Sequence, residues 1–303
     1  MTAFVVYLLT IAGIYGIMSL SLSLQYGQTG LVNFGQIGLF MVGAYASAAL
    51  TVVAGWPIIL GAIAGVAAAA LFGVLMALPI GDLRQDYWAI ATLAAAELIR
   101  VVFLNATLGD PYVGASYGVS GIPSPLLELI PDGSYGWFYL ALVGLCAAGC
   151  YGVVIWACRS PFGRVLKSLR EGGDEVAQAL GKEVRRARIS AMALGGAIAG
   201  LGGVLFAHYI GYIDPTYFLP LETFLVWAMV ILGGSGNHLG ALGGALIIQI
   251  INNGTRFLNL PDQFAALRMV LIGVLIILVI LYMPKGLIPE RRRRYGGRNA
   301  ARR

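Results

Sequence analysis

Residues 57–80 read PIILGAIAGVAAAALFGVLMALPI, from Pro57 to Ile80, without one charged side chain. A helix needs about 20 apolar residues to cross the hydrocarbon core of a bilayer. A transmembrane barrel strand would instead alternate apolar and polar positions over about ten residues. The stretch therefore predicts a membrane-spanning helix, and the chain around it repeats the pattern. Counted with Gly and without Tyr, roughly 68% of the 303 residues are apolar and 11% are charged, against roughly 45–50% and about 25% in ordinary soluble domains. Mean hydropathy is +0.82. A water-soluble fold cannot bury this much apolar surface. Further spans are predicted near 3–24, 33–53, 87–104, 136–157, 189–210, 219–232, 238–252 and 267–284. The fold class is an all-α integral membrane protein, a polytopic bundle of about 8–10 transmembrane helices. The segment 219–232 is short for a crossing and is expected to be a partial helix or fused to its neighbour.

Charge placement orients the bundle. Of 20 basic residues, eight lie from Arg159 to Arg188 and eight from Lys285 to Arg303, whereas 105–135 has no Lys or Arg. By the positive-inside rule both basic blocks are cytoplasmic and the 105–135 loop is outside. This requires an even number of crossings between 188 and 285 and puts the N-terminus outside and the C-terminus in the cytoplasm. Met1–Leu9 lacks the basic start of a signal peptide and is expected to be a retained span. Residues 1–290, including cytoplasmic helices at 160–188, form the transmembrane domain, and 291–303 a basic tail suited to lipid headgroups. No aromatics interleave its arginines as nucleic-acid binding would need. Cys146, Cys150 and Cys158 share one apolar stretch without a nearby histidine, the pattern of packing residues rather than of a metal site or disulfide framework.

Two segments interrupt the apolar pattern, one in each half: Gly27-Gln-Thr-Gly-Leu-Val-Asn-Phe-Gly-Gln-Ile-Gly38 and Gly233-Gly-Ser-Gly-Asn-His-Leu-Gly-Ala-Leu-Gly-Gly244. Glycine-interrupted segments at corresponding positions mark discontinuous helices whose free backbone groups line a cavity in transporters. The same glycines also suit close packing, through Gly236/Gly240/Gly244, Gly61/Gly65 and Gly196/Gly200. Gln28, Asn33, Gln36, Asn237 and His238 need protein or water partners in a membrane and are candidate translocation-pathway residues. Glu97 and Arg100, three apart and about 16 Å beyond Asp86, form a candidate intramembrane ion pair, suited either to structure or to a zwitterionic substrate. His208, Asp214 and Glu222 are expected at the solvated outer surface or against a delivering protein.

Residues 160–181 are the informative polar stretch. Phe162, Val165, Leu166 and Leu169 recur with helical spacing, leaving Arg164, Lys167 and Arg170 off the stripe. A second short helix is expected from Asp174 to Gly181 after Gly172-Gly173. The Ser-Pro-Phe-Gly-Arg opening at 160–164, followed by Arg170, Glu171, Glu175, Ala177 and Gly181, resembles the coupling loop of ABC importer permeases, in particular the branched-chain (hydrophobic) amino acid uptake family. Gly30–Gln36, Asp86–Leu93 and Gly233–Gly244 look like the same family, closest to its M-type subunit, so the likeness spans nearly the whole chain. One departure is Gly172-Gly173-Asp174, more flexible than the corresponding turn in relatives.

The resemblance implies a bacterial inner-membrane importer for branched-chain amino acids. Its expected partners are a sister permease, two cytoplasmic ATPase subunits and an extracytoplasmic binding protein. Phe162, Gly163, Arg164, Leu166, Arg170, Glu171, Asp174, Glu175, Ala177 and Gly181 are the expected coupling residues. ATP and Mg²⁺ are expected on the partners, because the only Gly-Lys, Gly181-Lys182, precedes Glu183 and not the Ser or Thr of a phosphate loop. Two alternatives stay open: a permease for urea, short amides or another small solute, and an intramembrane serine protease using Ser235 with His208 or His238.

Overall fold

The computed structural model describes residues 2–80, 85–108, 110–127, 130–179 and 181–257, then short stretches at 270, 273–274, 277–279, 281–283 and 286–289. Nine helices run in chain order among these residues: α1 (Thr2–Thr29), α2 (Gln36–Val52), α3 (Ile58–Ile80), α4 (Gln85–Asn105), α5 (Asp132–Arg159), α6 (Pro161–Ala179), α7 (Val184–Ile210), α8 (Pro220–Gly233) and α9 (His238–Phe257). Five of them, α1, α3, α4, α5 and α7, are long and apolar enough to cross a membrane. Half of the span expected at 267–284 falls outside the described residues, and the tail 291–303 falls wholly outside them.

The bundle is layered by burial. In α1 and α7, 61% of the most apolar stretch is covered by other helices, against 22% in α3, 17% in α4 and 28% in α5. α1 and α7 are therefore the inner helices, and α3, α4 and α5 present Ile63, Leu71, Leu98 and Leu145 outward, where a bilayer solvates them. Lipid tails supply no hydrophobic drive between helices, so cohesion comes from close packing and internal polar contacts. Small residues permit the closeness. A side chain at Gly203 would collide with the Phe40 carbonyl, one at Gly43 with the backbone at Gly200, and one at Gly196 with the Ala69 carbonyl, while Gly65 packs on Gly43 and Val204. These contacts bind α2 and α3 to α7.

The helix ends sort to two sides. Tyr7 stacks on Tyr209 with ring centroids 6.1 Å apart, which puts the start of α1 beside the end of α7. At the opposite side Arg185 Nη2 donates to the Leu78 carbonyl at 3.1 Å. The amides of Leu287 and Ile288 donate to Leu232 and Gly233 at 2.9 and 3.1 Å, which sets residues 287–288 against the end of α8.

Two short helices depart from the expected spans. α2 begins at Gln36 rather than 33, because residues 30–35 fold back along the end of α1: the Gly30 and Leu31 amides donate to Tyr26 and Gln25 at 2.9 and 3.2 Å. α8 is a separate partial helix of 14 residues, about 21 Å long, ended by Gly234 at φ 108°.

On the side away from α6, β1 (Thr107–Leu108) pairs with β2 (Asp110–Gly114), and β3 (Val119–Ser120) pairs antiparallel with β4 (Tyr212–Ile213). This cap corrects the expectation for His208, which is 2% exposed and not solvated. The chain after β3 covers it: Nδ1 donates to the Pro123 carbonyl at 2.7 Å, and Nε2 accepts from Ser47 Oγ at 2.9 Å. Asp214 is spent locally, accepting from the Thr216 amide at 2.6 Å.

A residue larger than Gly at 203 must push α2 and α7 apart, which costs about 1–3 kcal/mol. Gly203→Val is expected to lower the thermal midpoint of the detergent-purified protein, whereas Gly144→Ala, at a position with nothing close to a new methyl group, leaves it unchanged.

Candidate functional site

The last three turns of α1 are the meeting point of the molecule. Ser19, Ser21, Ser23 and Gln25 are fully buried, with Gln28 and Thr29 nearly so, and in a membrane each polar group needs a partner inside the protein. The first glycine-rich segment supplies several. Asn33 Nδ2 donates to Gln25 Oε1 at 2.8 Å and Gln36 Oε1 at 3.1 Å, and Asn33 Oδ1 accepts from the Gly35 amide at 2.8 Å. Gln36 Nε2 donates to Ser21 Oγ at 2.6 Å, which in turn donates to the Gly195 carbonyl of α7 at 2.6 Å. Trp227 Nε1 of α8 donates to the Asn33 carbonyl at 3.0 Å, and the Phe34 amide to Thr92 Oγ1 of α4 at 3.1 Å. Asn33 and Gln36 are thus the centre of a buried network that fixes the break before α2 against four helices.

The second glycine-rich segment reaches the same turns. Gly27 lies against the Ser235 carbonyl so closely that a side chain there would collide with it. His238, the first residue of α9, is 8% exposed. Its Nδ1 is 2.8 Å from Ser23 Oγ, and its Nε2 is 3.3 Å from both Gln28 Nε2 and Cys158 Sγ. Asn237 acts within its own turn, where Oδ1 accepts from the Leu239 and Gly240 amides at 3.0 and 3.4 Å and so caps α9. α8 and α9 then cross tightly through Gly233 against Gly240 and Gly244 against the Met229 carbonyl. The packing use expected for Gly240, Gly244, Gly65, Gly196 and Gly200 is present.

The module at 160–181 joins this junction from the side. α6 is two helices merged across a kink at Gly173, where φ 74° and ψ −178° describe a conformation open essentially to Gly alone. The apolar stripe turns inward: Leu166, Leu169 and Ala177 are buried, with Phe162 and Val165 beside them, in a core that includes Leu31, Trp88 and Met192. Gly163 is buried as well, its position leaving no room for a side chain beside the Cys158 backbone. Arg164, Glu171, Glu175 and Val176 face out, as does Gly181, which follows the second helix with φ 69°. Arg170 Nη1 donates to the Gly27 carbonyl, tying the module to the point where Ser235 touches α1. Asp174 is not simply a helix cap. Both of its oxygens accept from Arg188 Nη2 at 2.8 and 2.9 Å, and the Arg188 guanidinium lies 5.9 Å over the buried Trp88 ring.

Glu97 and Arg100 form the expected pair, with Nη2 to Oε1 at 2.5 Å and Nε to Oε2 at 2.9 Å. They stand on peripheral α4, apart from the junction. The protease alternative does not match the histidines: the ring nitrogens of His208 are taken by Pro123 and Ser47, and those of His238 point to Ser23, Gln28 and Cys158. Among the described residues, no group of three or more His, Cys, Asp or Glu is placed to hold a metal ion. Arg188, Trp88, Ser21, Ser23 and Gln25 are members of the site that sequence reasoning misses. The signal for the last three is an unusual density of polar residues in an otherwise apolar span.

Broken helices buried inside a bundle, joined to a two-helix module at one side, define a membrane permease. The profile of the family described as branched-chain amino acid transport system / permease component matches residues 4–280, and the chain belongs to that family. It is similar to the probable branched-chain amino acid transport permease protein LivM of Methanocaldococcus jannaschii, with 32% identity covering 92% of this chain and 91% of that one. It is also similar to the high-affinity branched-chain amino acid transport system permease protein LivM of Escherichia coli, with 31% identity covering 96% and 72%. The autoinducer 2 import system permease protein LsrC of Salmonella typhimurium shares 32% identity over 62% of this chain and 53% of its own. No solved structure matches.

The Asp174–Arg188 pair is asymmetric, since the arginine side chain is 5% exposed and the aspartate 42%. Removing the aspartate withdraws the carboxylate from a buried cation, whereas removing the arginine leaves an anion that water can reach. Asp174→Ala is therefore expected to lower stability more than Arg188→Met, by about 3 kcal/mol for the former, as measured by thermal unfolding of the purified protein.

Proposed function

We propose that this chain is the permease subunit of an ATP-binding cassette importer carrying branched-chain and other hydrophobic amino acids. Its partners are a sister permease, two cytoplasmic ATPase subunits and an extracytoplasmic binding protein. The observation that carries the proposal is the split character of α6. One side is sealed into the bundle through Leu166, Leu169 and Ala177, while Arg164, Glu171, Glu175 and Val176 stand clear of it. A polar ridge with one exposed apolar residue at its bend suits a groove on a partner. ATP and Mg²⁺ belong to the ATPase subunits in this reading. The chain lies in the cytoplasmic membrane with its N-terminus outside and its basic C-terminus inside, as the two Arg-rich blocks favour.

The geometry offers a route for the drive. Closure of the ATPases would displace α6, and Arg170 on the Gly27 carbonyl would carry that displacement to the end of α1. From there Gly27 against Ser235 passes it to the break between α8 and α9, and Asn33 with Gln25 to the break before α2. A displacement of α6 would therefore reach both breaks together, because both lean on the same stretch of α1. Such a cycle needs the ATPases to bind one arrangement better than the other.

Co-expression with the ATPase subunits tests the docking ridge. Replacing Glu171, Glu175 and Val176 together, as Glu171→Lys, Glu175→Lys and Val176→Asp, is expected to reduce ATPase co-purification by about tenfold or more while the permease pair stays assembled. Undiminished co-purification contradicts the assignment. The substrate class is tested separately, by calorimetry of the cognate binding protein with leucine, isoleucine and valine.

A further inference from the structure

We propose that Trp156, Arg159 and Arg164, at the corner between α5 and α6, hold the headgroup of an anionic phospholipid. The inference concerns the membrane around the chain and does not depend on the importer reading above.

α5 measures the membrane. Its start lies beside the start of α1, where Gly136 packs on Val6, and its end reaches His238 through Cys158. Two tryptophans stand out from it, Trp137 at 57% and Trp156 at 74% exposure. They are 19 residues apart, which is about 28 Å of helix against a hydrocarbon core of about 30 Å. Tryptophan collects at the two membrane–water borders, so the pair marks both, and Trp156 sits at the border beside α6. Arg159 follows three residues later on the same helical face. It is exposed and stands about 4–5 Å farther along the axis, at headgroup depth.

The charges around this corner select its occupant. From Gly133 to Arg170 the chain has no Asp or Glu and four cations, Arg159, Arg164, Lys167 and Arg170. Lys167 lies 3.7 Å from Glu171, and Arg170 donates to the Gly27 carbonyl. Among the described residues the side chains of Arg159 and Arg164 have no ion pair or hydrogen bond. Both are exposed. Gly163 is set so closely against the Cys158 backbone that a side chain there would collide with it, so Arg159 and Arg164 leave from adjoining stretches of backbone. Two guanidinium forks match the oxygens of a phosphate. A soluble anion would gain nothing from Trp156, whereas a phospholipid sets its phosphate on the arginines and its glycerol and upper acyl chain on the indole. Arg164 is in the first turn of α6, two turns before Glu171, so a lipid here steadies the corner without covering Glu171, Glu175 and Val176.

The test is quenching of tryptophan fluorescence in the purified full chain. The protein is embedded in phosphatidylcholine nanodiscs carrying either dibrominated phosphatidylglycerol or dibrominated phosphatidylcholine at a series of mole fractions. The Trp156 signal is the difference between the wild type and Trp156→Phe. Brominated phosphatidylglycerol is expected to quench that signal at a mole fraction lower by about fivefold or more than brominated phosphatidylcholine. Arg159→Gln is expected to reduce this preference about fivefold, the worth of one basic side chain at an anionic membrane surface. Arg159→Gln with Arg164→Gln is expected to abolish it, although the arginines of the tail remain. Equal quenching by the two lipids in the wild type, or a preference unaltered in the double variant, would overturn the site. A Trp156 signal that neither lipid quenches would overturn it too, by showing that a protein surface covers this face. Loss of the preference in excess inorganic phosphate would give the arginines to a soluble anion and equally reject the lipid.

Discussion

In a bilayer core no water is available to hydrogen-bond a stray amide or carbonyl, and the last three turns of α1 are where this protein meets that constraint. Ser21, Ser23, Gln25 and Gln28 are buried polar residues in an inner helix. They make it possible for two other helices to break within the membrane, because the groups freed or exposed by each break are bonded back to α1. Asn33 returns to Gln25 and Gln36 to Ser21 at the first break, and His238 returns to Ser23 at the second. Without these partners either break would leave unsatisfied polar groups worth several kcal/mol each.

The same stretch of α1 also joins the module at 160–181 to the interior of the bundle. α6 is held on one side by an apolar core and on the other by Arg170 at the Gly27 carbonyl, and the next contact from Gly27 is the Ser235 carbonyl at the second break. The chain of contacts is short, backbone-mediated and made at residues that exclude a side chain. Glycine at 27 and the kink at Gly173 serve different ends. The first allows two backbones to touch, and the second lets α6 turn so that Asp174 meets Arg188.

Much of this is legible from residues alone. Runs such as Pro57–Ile80 impose helices, the basic blocks sort the chain ends, and the stripe Phe162, Val165, Leu166, Leu169 identifies an amphipathic helix with a bend at Gly172-Gly173. Asn33, Gln36, Asn237 and His238 all find partners, as their polarity in an apolar chain demands, but the partners differ in kind. Asn237 only caps its own helix, Asn33 and Gln36 are sealed in a network, and His238 reaches α1 and α5. His208 looks like a solvated residue in sequence and is not, because its cover comes from β3 and the residues after it, about 85 positions earlier in the chain. No local pattern reports a contact of that span.

The sequence by itself determined the solvent, the helical class and the presence of an unusual polar module, since these follow from composition and from periodicity within one helix. It also carried the likeness to a permease family. Only the tertiary structure decided which helices are inner, which face of α6 is free, and that both glycine-rich segments lean on one end of α1. The reason is physical. Hydropathy is summed along the chain, whereas the satisfaction of a buried amide or carboxylate depends on a partner brought alongside by packing, as with Tyr15 and Glu222, which are 207 residues apart.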